Sequence, residues 1–279
     1  MSAVHPLAVA AAGVPVDGPD GPLSGEELAR RFGGRIAIVI PAYEEEENLG
    51  ELLPRMPEEL GGVEAVVLVV DDGSRDNTHG AALRGGALVA RLPQNRGGGA
   101  ALRAGYGLMI DAGAAVVITI DADGQHRPEE LERVATPVLE DRADLSQGSR
   151  TLGMAEAGAF ARELGIQVFN RLMQVLLGVR ITDCSNGYRA IRTEMLPALD
   201  LRQPQFHAAE FLIEAITRGY RYQEVPVSVL HRAHGSSKKP PTLRYGYGFC
   251  AAIIGAWARS LGRRGKPSRR RRRELSGGR

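Results

Sequence analysis

The stretch "VVITIDADGQHRP", residues 116–128, joins a run of β-branched residues to two aspartates one residue apart. A buried strand that ends this way brings Asp121 and Asp123 to the rim of a sheet. Mg²⁺ and Mn²⁺ take one or two carboxylates in such places and fill their other positions with phosphate oxygens. The stretch therefore predicts a divalent-cation site at Asp121 and Asp123, with Gln125 and His126 close enough to supply a further ligand or to support the ligands. The alternative is a solvated turn whose aspartates cap a helix.

Outward from this strand, the sequence alternates between apolar runs and helical patterns. The other strands of the first half are predicted at 35–40, 63–70, 87–92 and 143–150. Such alternation favours an α/β fold with a Rossmann-like, mostly parallel central sheet flanked by helices. Ligands of these sheets bind beyond the carboxyl ends of the strands. The polar segments expected there are 41–45, 71–74, 121–126 and 148–150.

The second half is less regular. It contains a long amphipathic helix at 158–179, a loop at 183–192, an alternating strand near 222–230 and an apolar helix at 242–261. We predict four regions: a variable N-terminal extension (1–34), one domain (35–240), an amphipathic or packing helix (241–262) and a basic disordered tail (263–279). Within the extension, we expect residues 1–15 to be loose and a short helix near 24–32.

Charge and cysteine content restrict the function classes. Residues 259–279 hold ten Lys or Arg and one Glu, so the rest of the chain, whose total charge is +2, is net acidic. A basic tail of this kind contacts an anionic surface, which is lipid or nucleic acid. Nucleic acid is not expected, because the tail lacks interleaved aromatic residues and the body is acidic. A solubilising tail behind a packing helix is the alternative to membrane contact.

The predicted location is the cytoplasm, at the cytoplasmic face of the membrane. Cys184 and Cys250 do not form a disulfide framework, which is typical of a reducing compartment. The longest uncharged apolar run near the C-terminus covers 245–258, shorter than the roughly 20 residues that span a bilayer. No transmembrane helix and no signal peptide are therefore expected.

Several motifs together resemble glycosyltransferase family 2, the inverting enzymes of GT-A fold. The motifs are "IPAYEEEENL", "VVDDGSRDNT", "NRGGGAALRAG", "IDADGQHRPEEL" and "QGSR", in this order. The later "DCSNGYRAIR", "AAEFLIEA", "VPVSV" and "RAHGSSK" resemble the dolichyl-phosphate mannose synthase branch, which acts on polyprenyl phosphates. The resemblance covers about residues 35–240.

The resemblance implies roles for individual residues. Asp121, Asp123 and Gln125 match the metal and diphosphate motif, and Arg150 with Arg162 would bind the acceptor phosphate. The remaining candidates would bind the nucleotide (Pro41, Tyr43, Glu45, Asp72) or hold phosphates and close over the donor (Arg232, Ser237, Lys238). The catalytic set would be Asp121, Asp123 and Arg150.

Two positions depart from the family pattern. Glu44 stands where the usual motif has Asn, and Gly98 stands where many relatives carry Lys. The glycines at 97–99 either cradle an anion at a helix start or allow close packing of that helix.

The expected reaction is metal-dependent transfer of a hexose from a nucleotide-diphosphate sugar to a polyprenyl phosphate, with inversion. A hydroxyl acceptor on a glycan or small metabolite is the alternative. It would need a general base, for which Glu210 in "HAAEF" is the candidate. A nucleotidyltransferase, which would release diphosphate, also uses paired carboxylates and a metal.

Overall fold

The computed structural model of the protein describes residues 6–155, 160–232 and 243–262. Within these residues the strands are two to eleven residues long, and most of them belong to one mixed sheet. They are β1 (Val16–Gly18), β2 (Gly21–Pro22), β3 (Ile36–Ala42), β4 (Glu59–Leu60), β5 (Val63–Asp71), β6 (Leu88–Arg91), β7 (Val116–Thr119), β8 (Leu145–Ala155), β9 (Arg189–Arg192) and β10 (Tyr222–Val229).

The strand order is β10-β8-β9-β7-β3-β5-β6-β1-β2, and the short β4 pairs with the start of β5. The central strands β7, β3, β5 and β6 pair in parallel. Strand β9 runs antiparallel between β7 and β8, and β8 pairs in parallel with β10. The carboxyl ends of β3, β5, β7, β8 and β10 therefore share one edge of the sheet. The start of β9 lies at that same edge.

Helices cover both faces of the sheet. The α-helices of the described residues are α1 (Pro6–Ala11), α2 (Gly25–Phe32), α3 (Glu46–Leu52), α4 (Thr78–Arg84), α5 (Gly98–Asp111), α6 (Leu131–Leu139), α7 (Phe160–Leu177), α8 (His207–Thr217) and α9 (Leu243–Leu261). Short 3₁₀ segments occupy Leu53–Arg55, Pro128–Glu130 and Thr193–Ala198.

Strand β3 shows why the sheet needs helices on both sides. Its side chains alternate between two apolar cores, with Ala37 and Val39 in one and Ile36, Ile38 and Ile40 in the other, all fully buried. Alternating side chains point to opposite faces of a strand, so this continuous apolar run is stable only when both faces are covered. The predicted α/β sheet is thus confirmed.

Two local expectations are wrong. The segment 183–192 is not entirely a loop, because Arg189–Arg192 forms β9. Residues 6–15 are not loose, because α1 packs on the domain, whereas the helix expected near 24–32 is present as α2. Leu7 and Phe32 are fully buried in the core, and β1 pairs with β6. The boundaries of the four regions stay a prediction.

Helix α9 packs against the domain through one side. Phe249, Ile253 and Ala256 are buried, and the ring of Phe249 lies 4.5 Å from that of Phe169 on α7, measured between centroids. Tyr247 and Ile254 on the other side are exposed. No helix among the described residues combines the length and apolar character that crossing a bilayer requires. The predicted tail, 263–279, lies outside the described residues.

Candidate active site

Arg232 joins the ends of two parallel strands. Its Nη2 lies 3.1 Å from Oδ2 of Asp123, which follows β7, and its Nη1 lies 3.3 Å from Oε1 of Glu45, which follows β3. Both carboxylates are largely buried. Because a buried charge is costly without a partner, this bridge fixes the relative positions of the two strand ends. The sequence predicted all three residues for the site, with Arg232 as a phosphate ligand.

The segment after β3 holds Glu45 in place from several sides. Its backbone N–H donates to Thr78 Oγ1 at 2.9 Å, and Asn48 Nδ2 donates to its Oε2. The preceding residue, Glu44, has a φ of 53°. This left-handed conformation is uncommon outside glycine and favours asparagine among the other residues. Glu44 stands where the motif has asparagine, so the residue beside the site has a strained backbone conformation.

The segment after β7 is tied to the end of β10. The Gln125 backbone N–H donates to Asp123 Oδ1 at 3.2 Å, and its side-chain Nε2 donates to the Leu230 carbonyl at 3.0 Å. Asp121 lies against Gly187, where a Cβ would come within 3.3 Å of the carboxylate. Burial raises the pKa of Asp123, and the nearby charge of Asp121 raises it further.

The donor set at this edge fits a hard divalent cation. Asp121 and Asp123 crowd two carboxylates together, and a cation would relieve the repulsion that their charges create. The described residues contain no group of three or more His, Cys, Asp and Glu side chains able to hold a metal. Mg²⁺ and Mn²⁺ take one or two protein carboxylates and keep water or phosphate oxygens as their other ligands, so the pair of aspartates suits them.

Asp72, at the end of β5, holds a segment that we call the glycine turn, residues 95–99. Its Oδ1 accepts the N–H of Arg96 at 2.9 Å, and its Oδ2 accepts that of Gly97 at 2.7 Å. Burial raises the pKa of Asp72, and the two N–H groups oppose the shift. Asp72 was predicted to contact a base or ribose. In the structure both oxygens of its carboxylate already accept hydrogen bonds from the glycine turn.

The glycine turn also packs closely on the residues before α8. The Gly99 N–H donates to the Pro204 carbonyl at 2.8 Å. A Cβ at Gly99 would lie only 2.3 Å from the Gln203 carbonyl oxygen, which explains the absence of a side chain. Gly98 has open space around its Cβ position. Close packing is therefore one role of these glycines.

Arg150, on β8, is held by Asp183. Its Nε and Nη2 donate to the two carboxylate oxygens of Asp183 at 2.7 and 3.1 Å, and Nη2 also donates to Ser185 at 3.0 Å. Nη1 has no hydrogen-bond acceptor among the residues that the structure describes. A guanidinium fixed along one edge in this way can present the other edge to an anion.

For five of the predicted site residues, the structure neither supports nor contradicts the predicted role. Pro41 and Tyr43 are partly buried at the end of β3, beside the bridge made by Arg232. Arg162 belongs to α7, but its side chain is outside the described part of the structure. Ser237 and Lys238 also lie outside the described residues. The structure therefore leaves the roles of these five residues as predictions.

Glu210 does not have the environment of a general base. It is almost fully buried, its Oε2 accepts the N–H groups of Arg202 and Gln203, and its Oε1 accepts Nη2 of Arg259. A base needs a lone pair within reach of the proton that it removes. Sequence reasoning missed Arg259, although a lone arginine in the apolar run "AAIIGAWARSL" was a signal for a buried partner.

A second missed residue supports Arg150. Glu224, on β10, accepts the backbone N–H groups of Thr182 and Asp183 at 2.9 and 3.0 Å. It thereby fixes the backbone that carries the Asp183 carboxylate. In "YQEVPVSV" Glu224 lies on the face opposite to the buried Val225 and Val227, so the pattern gave no signal of this contact.

Comparisons with known proteins agree with this architecture. The family model described as "Glycosyl transferase family 2" matches residues 37–199. Polyprenol monophosphomannose synthase of Mycolicibacterium smegmatis is 36% identical over 217 residues, which cover 73% of this chain and 80% of that protein. Undecaprenyl-phosphate mannosyltransferase of Micrococcus luteus is 33% identical over 215 residues, with coverage of 73% and 87%.

A solved structure confirms the predicted GT-A fold. It is that of glucosyl-3-phosphoglycerate synthase from Mycobacterium tuberculosis in complex with Mn²⁺, uridine diphosphate and glucosyl-3-phosphoglycerate. The TM-score is 0.65 and the alignment covers 85% of each chain, at 21% sequence identity. At this identity the likeness concerns the fold alone.

Proposed function

The chain belongs to glycosyl transferase family 2 and is a glycosyltransferase, and from this premise we propose that it moves a hexose from a nucleotide-diphosphate sugar to a polyprenyl phosphate. The names of two relatives, a polyprenol monophosphomannose synthase and an undecaprenyl-phosphate mannosyltransferase, support this acceptor class. The observation that carries the proposal is the bridge from Arg232 to Glu45 and Asp123, because it brings a cation and two carboxylates together at the ligand-binding edge of the sheet.

The donor would bind along the ends of β3, β5 and β7. Pro41, Tyr43 and Glu45 would line the nucleotide pocket, and Asp72 would contact base or ribose while it holds the glycine turn. Asp121, Asp123 and Gln125 would hold Mg²⁺ or Mn²⁺. Such a cation, when bound, neutralises negative charge on the leaving diphosphate. Solved neighbours that contain Mn²⁺ or Mg²⁺ with uridine diphosphate support its use.

Arg232 would exchange partners when the donor binds. Its guanidinium now neutralises Glu45 and Asp123, and a diphosphate at this edge would offer it stronger, charge-assisted hydrogen bonds. The residue next to it begins the undescribed segment that contains Ser237 and Lys238, which we propose as further phosphate contacts. Arg232 would thus orient the donor for attack on the anomeric carbon.

The acceptor would approach Arg150. A phosphate monoester oxygen is already anionic at neutral pH, so it attacks without a general base and inverts the anomeric carbon. Arg150, oriented by Asp183, would position that phosphate together with Arg162. The buried, fully engaged carboxylate of Glu210 favours this acceptor over a hydroxyl, which would need a base.

Contact with a membrane surface is part of the proposal. Helices α7 and α9 each expose apolar residues seven positions apart, which lie on one face of a helix: Val168 and Val175, and Tyr247, Ile254 and Leu261. The arginine-rich sequence 263–273 follows α9 directly. Basic residues near anionic lipid contribute about 1 kcal/mol each. We propose peripheral binding at the cytoplasmic face.

A hydroxyl acceptor is the second candidate. It is favoured by the neighbour of the same fold that was solved with glucosyl-3-phosphoglycerate. If the acceptor is a hydroxyl, the sugar will be transferred to a soluble acceptor and not to the lipid phosphate.

The deciding experiment is a donor-by-acceptor assay read by mass spectrometry. The full chain with Mn²⁺ or Mg²⁺ is offered GDP-, UDP- and dTDP-hexoses, with and without a polyprenyl phosphate. A glycosyl phosphoprenol is the expected product, and Asp123→Asn should abolish it. Transfer to a soluble hydroxyl acceptor would replace the proposal, and so would release of diphosphate when a nucleoside triphosphate and a hexose 1-phosphate are offered instead.

A matched variant tests the role of Arg150. Arg150→Lys keeps the charge but loses the planar fork that Asp183 holds. The expected result is a rise in KM for the polyprenyl phosphate, with KM for the donor unchanged. A rise in the donor KM alone would move Arg150 out of the acceptor site.

A further inference from the structure

Glu210 is a buried acid that the proposed chemistry does not use. It lies in the first turn of α8 and accepts three hydrogen bonds. The N–H groups of Arg202 and Gln203 donate to Oε2 at 2.8 and 2.7 Å, and Arg259 Nη2 donates to Oε1 at 2.5 Å. A carboxylate that organises backbone amides on one side and a guanidinium on the other links the segments that carry them.

The first of these segments is loop 202–204, and it touches the glycine turn. Pro204 accepts the N–H of Gly99 at 2.8 Å, and Gln203 accepts Nη1 of Arg103, on α5, at 2.9 Å. The closeness of Gly99 to the Gln203 carbonyl leaves no room for a Cβ. A displacement of loop 202–204 must therefore move the glycine turn.

The glycine turn and Asp72 hold each other, so a displaced turn would disturb Asp72. Both oxygens of that carboxylate accept N–H groups of the turn, from Arg96 and Gly97. A continuous path of backbone contacts and charged hydrogen bonds thus runs from α9 through Glu210 to the nucleotide edge of the proposed donor site.

We propose that Glu210 and Arg259 are positioning residues for donor binding, which act by fixing loop 202–204 and through it the glycine turn and Asp72. The inference rests on the proposed function, in which Asp72 contacts the nucleotide. Neither residue touches substrate. Helix α9 therefore takes part in donor affinity. It acts on the glycine turn indirectly, through Glu210 on α8 and loop 202–204.

The test uses two variants of the full chain and a matched control. Arg259→Met keeps most of the apolar contact of the stem and removes the charge, and Arg259→Lys restores the charge. Arg221→Met is the control, because Arg221 forms an ion pair with Asp144, another largely buried carboxylate. Asp144 precedes β8, so this pair lies at the edge of the sheet opposite to the glycine turn.

The first readout needs no ligand. Amide hydrogen exchange followed by NMR should show faster exchange at Gly97 and Gly99 in Arg259→Met, by about tenfold, the factor expected when a charged hydrogen bond is lost. Arg221→Met should leave these two amides as in the wild type. Unchanged exchange in Arg259→Met would overturn the inference even if the protein proves to have a different activity.

The second readout separates positioning from general stability. In steady-state assays Arg259→Met should raise KM for the sugar nucleotide about tenfold, and leave kcat and the acceptor KM unchanged. Arg259→Lys should restore most of the donor KM. A lower kcat at constant donor KM would mean only that less protein is folded, and this would refute positioning.

The two hypotheses fail in different ways. If wild-type protein neither binds nor uses any sugar nucleotide, the proposed function fails while the exchange result still decides whether Arg259 fixes the turn. If wild-type protein is active and Arg259→Met has the same donor KM, the positioning inference fails and the function stands.

Discussion

Replacing Arg232 with methionine tests the electrostatics at the core of the site. The substitution keeps an apolar stem and removes the charge that lies 3.1 Å from Asp123 and 3.3 Å from Glu45. At an effective dielectric constant of about 20, each contact corresponds to about 5 kcal/mol of Coulomb energy before desolvation is counted. The cost of desolvating the three charges cancels most of that Coulomb energy. We therefore take the net loss of stability from the values known for buried and exposed ion pairs.

Burial places the expected net cost between two limits. Removing one partner of a fully buried pair costs about 3–5 kcal/mol, whereas an exposed pair contributes about 0–1 kcal/mol. The side chain of Arg232 is 20% exposed, and those of Asp123 and Glu45 are 14% and 8% exposed. We therefore expect the free energy of unfolding to fall by about 2 kcal/mol, which lowers the melting temperature of a domain of this size by about 4–8 °C.

Added Mn²⁺ makes the prediction specific. In wild-type protein a cation must displace the guanidinium from Asp123, whereas in Arg232→Met it replaces a missing charge. Calorimetric melting in EDTA and then in Mn²⁺ should show a larger cation-induced rise for the variant. Arg55→Met, which breaks an exposed ion pair with Glu129, is the control and should show neither effect. Equal melting of Arg232→Met and wild type in EDTA, or equal rises with Mn²⁺, would refute the reasoning.

Three further predictions concern backbone strain, packing and thiol reactivity. Glu44→Asn should raise the free energy of unfolding by about 0.5–1 kcal/mol in urea denaturation, because φ at this position is 53° and asparagine tolerates that region; a loss of stability would contradict this. Gly99→Ala should lower the free energy of unfolding by about 1–3 kcal/mol, because its Cβ would meet a backbone oxygen at 2.3 Å, whereas Gly98→Ala, with open space, should be neutral or stabilising. Equal effects of the two alanines would rule out close packing as the cause. Burial raises the pKa of Cys184 to about 12, so its thiolate is scarce at pH 8 and a thiol reagent should modify only Cys250 in native protein; two fast-reacting thiols would contradict this.

Sequence reasoning succeeded where strand direction alone brings residues together. Glu45 and Asp123 follow parallel neighbouring strands, so their proximity is a consequence of the fold and needs no knowledge of side-chain packing. It assigned Arg232 to the site for a phosphate, and the structure adds the two carboxylates that occupy the guanidinium. Arg232 lies 187 residues after Glu45 in the chain, just beyond β10. Local sequence patterns do not encode where the chain goes after β10, so they could not predict these contacts.

The elements that sequence reasoning missed have local patterns that contradict their structure. Strand β9 has four residues and arginine at both ends. Contacts distant in sequence stabilise that composition in the sheet: Arg189 binds Gln147 and the Ala208 carbonyl, and Arg192 pairs with Asp141. The hairpin of β1 and β2 is rich in Gly, Pro and Asp, a composition typical of a turn. Tertiary pairing overrides propensity in both cases.

The path from Arg259 to the glycine turn also has a consequence for the order of events during synthesis. Domains fold from the N-terminus as the chain emerges, at about 5–20 residues per second. The strands β3, β5, β6 and β7 are synthesised early. Glu210 can form its ion pair only after Arg259, 49 residues further on, has been synthesised. That delay is roughly 2–10 s. During this time the nascent protein has a nearly complete sheet whose nucleotide edge is not yet fixed, so chain emergence itself would keep an immature enzyme from retaining its donor.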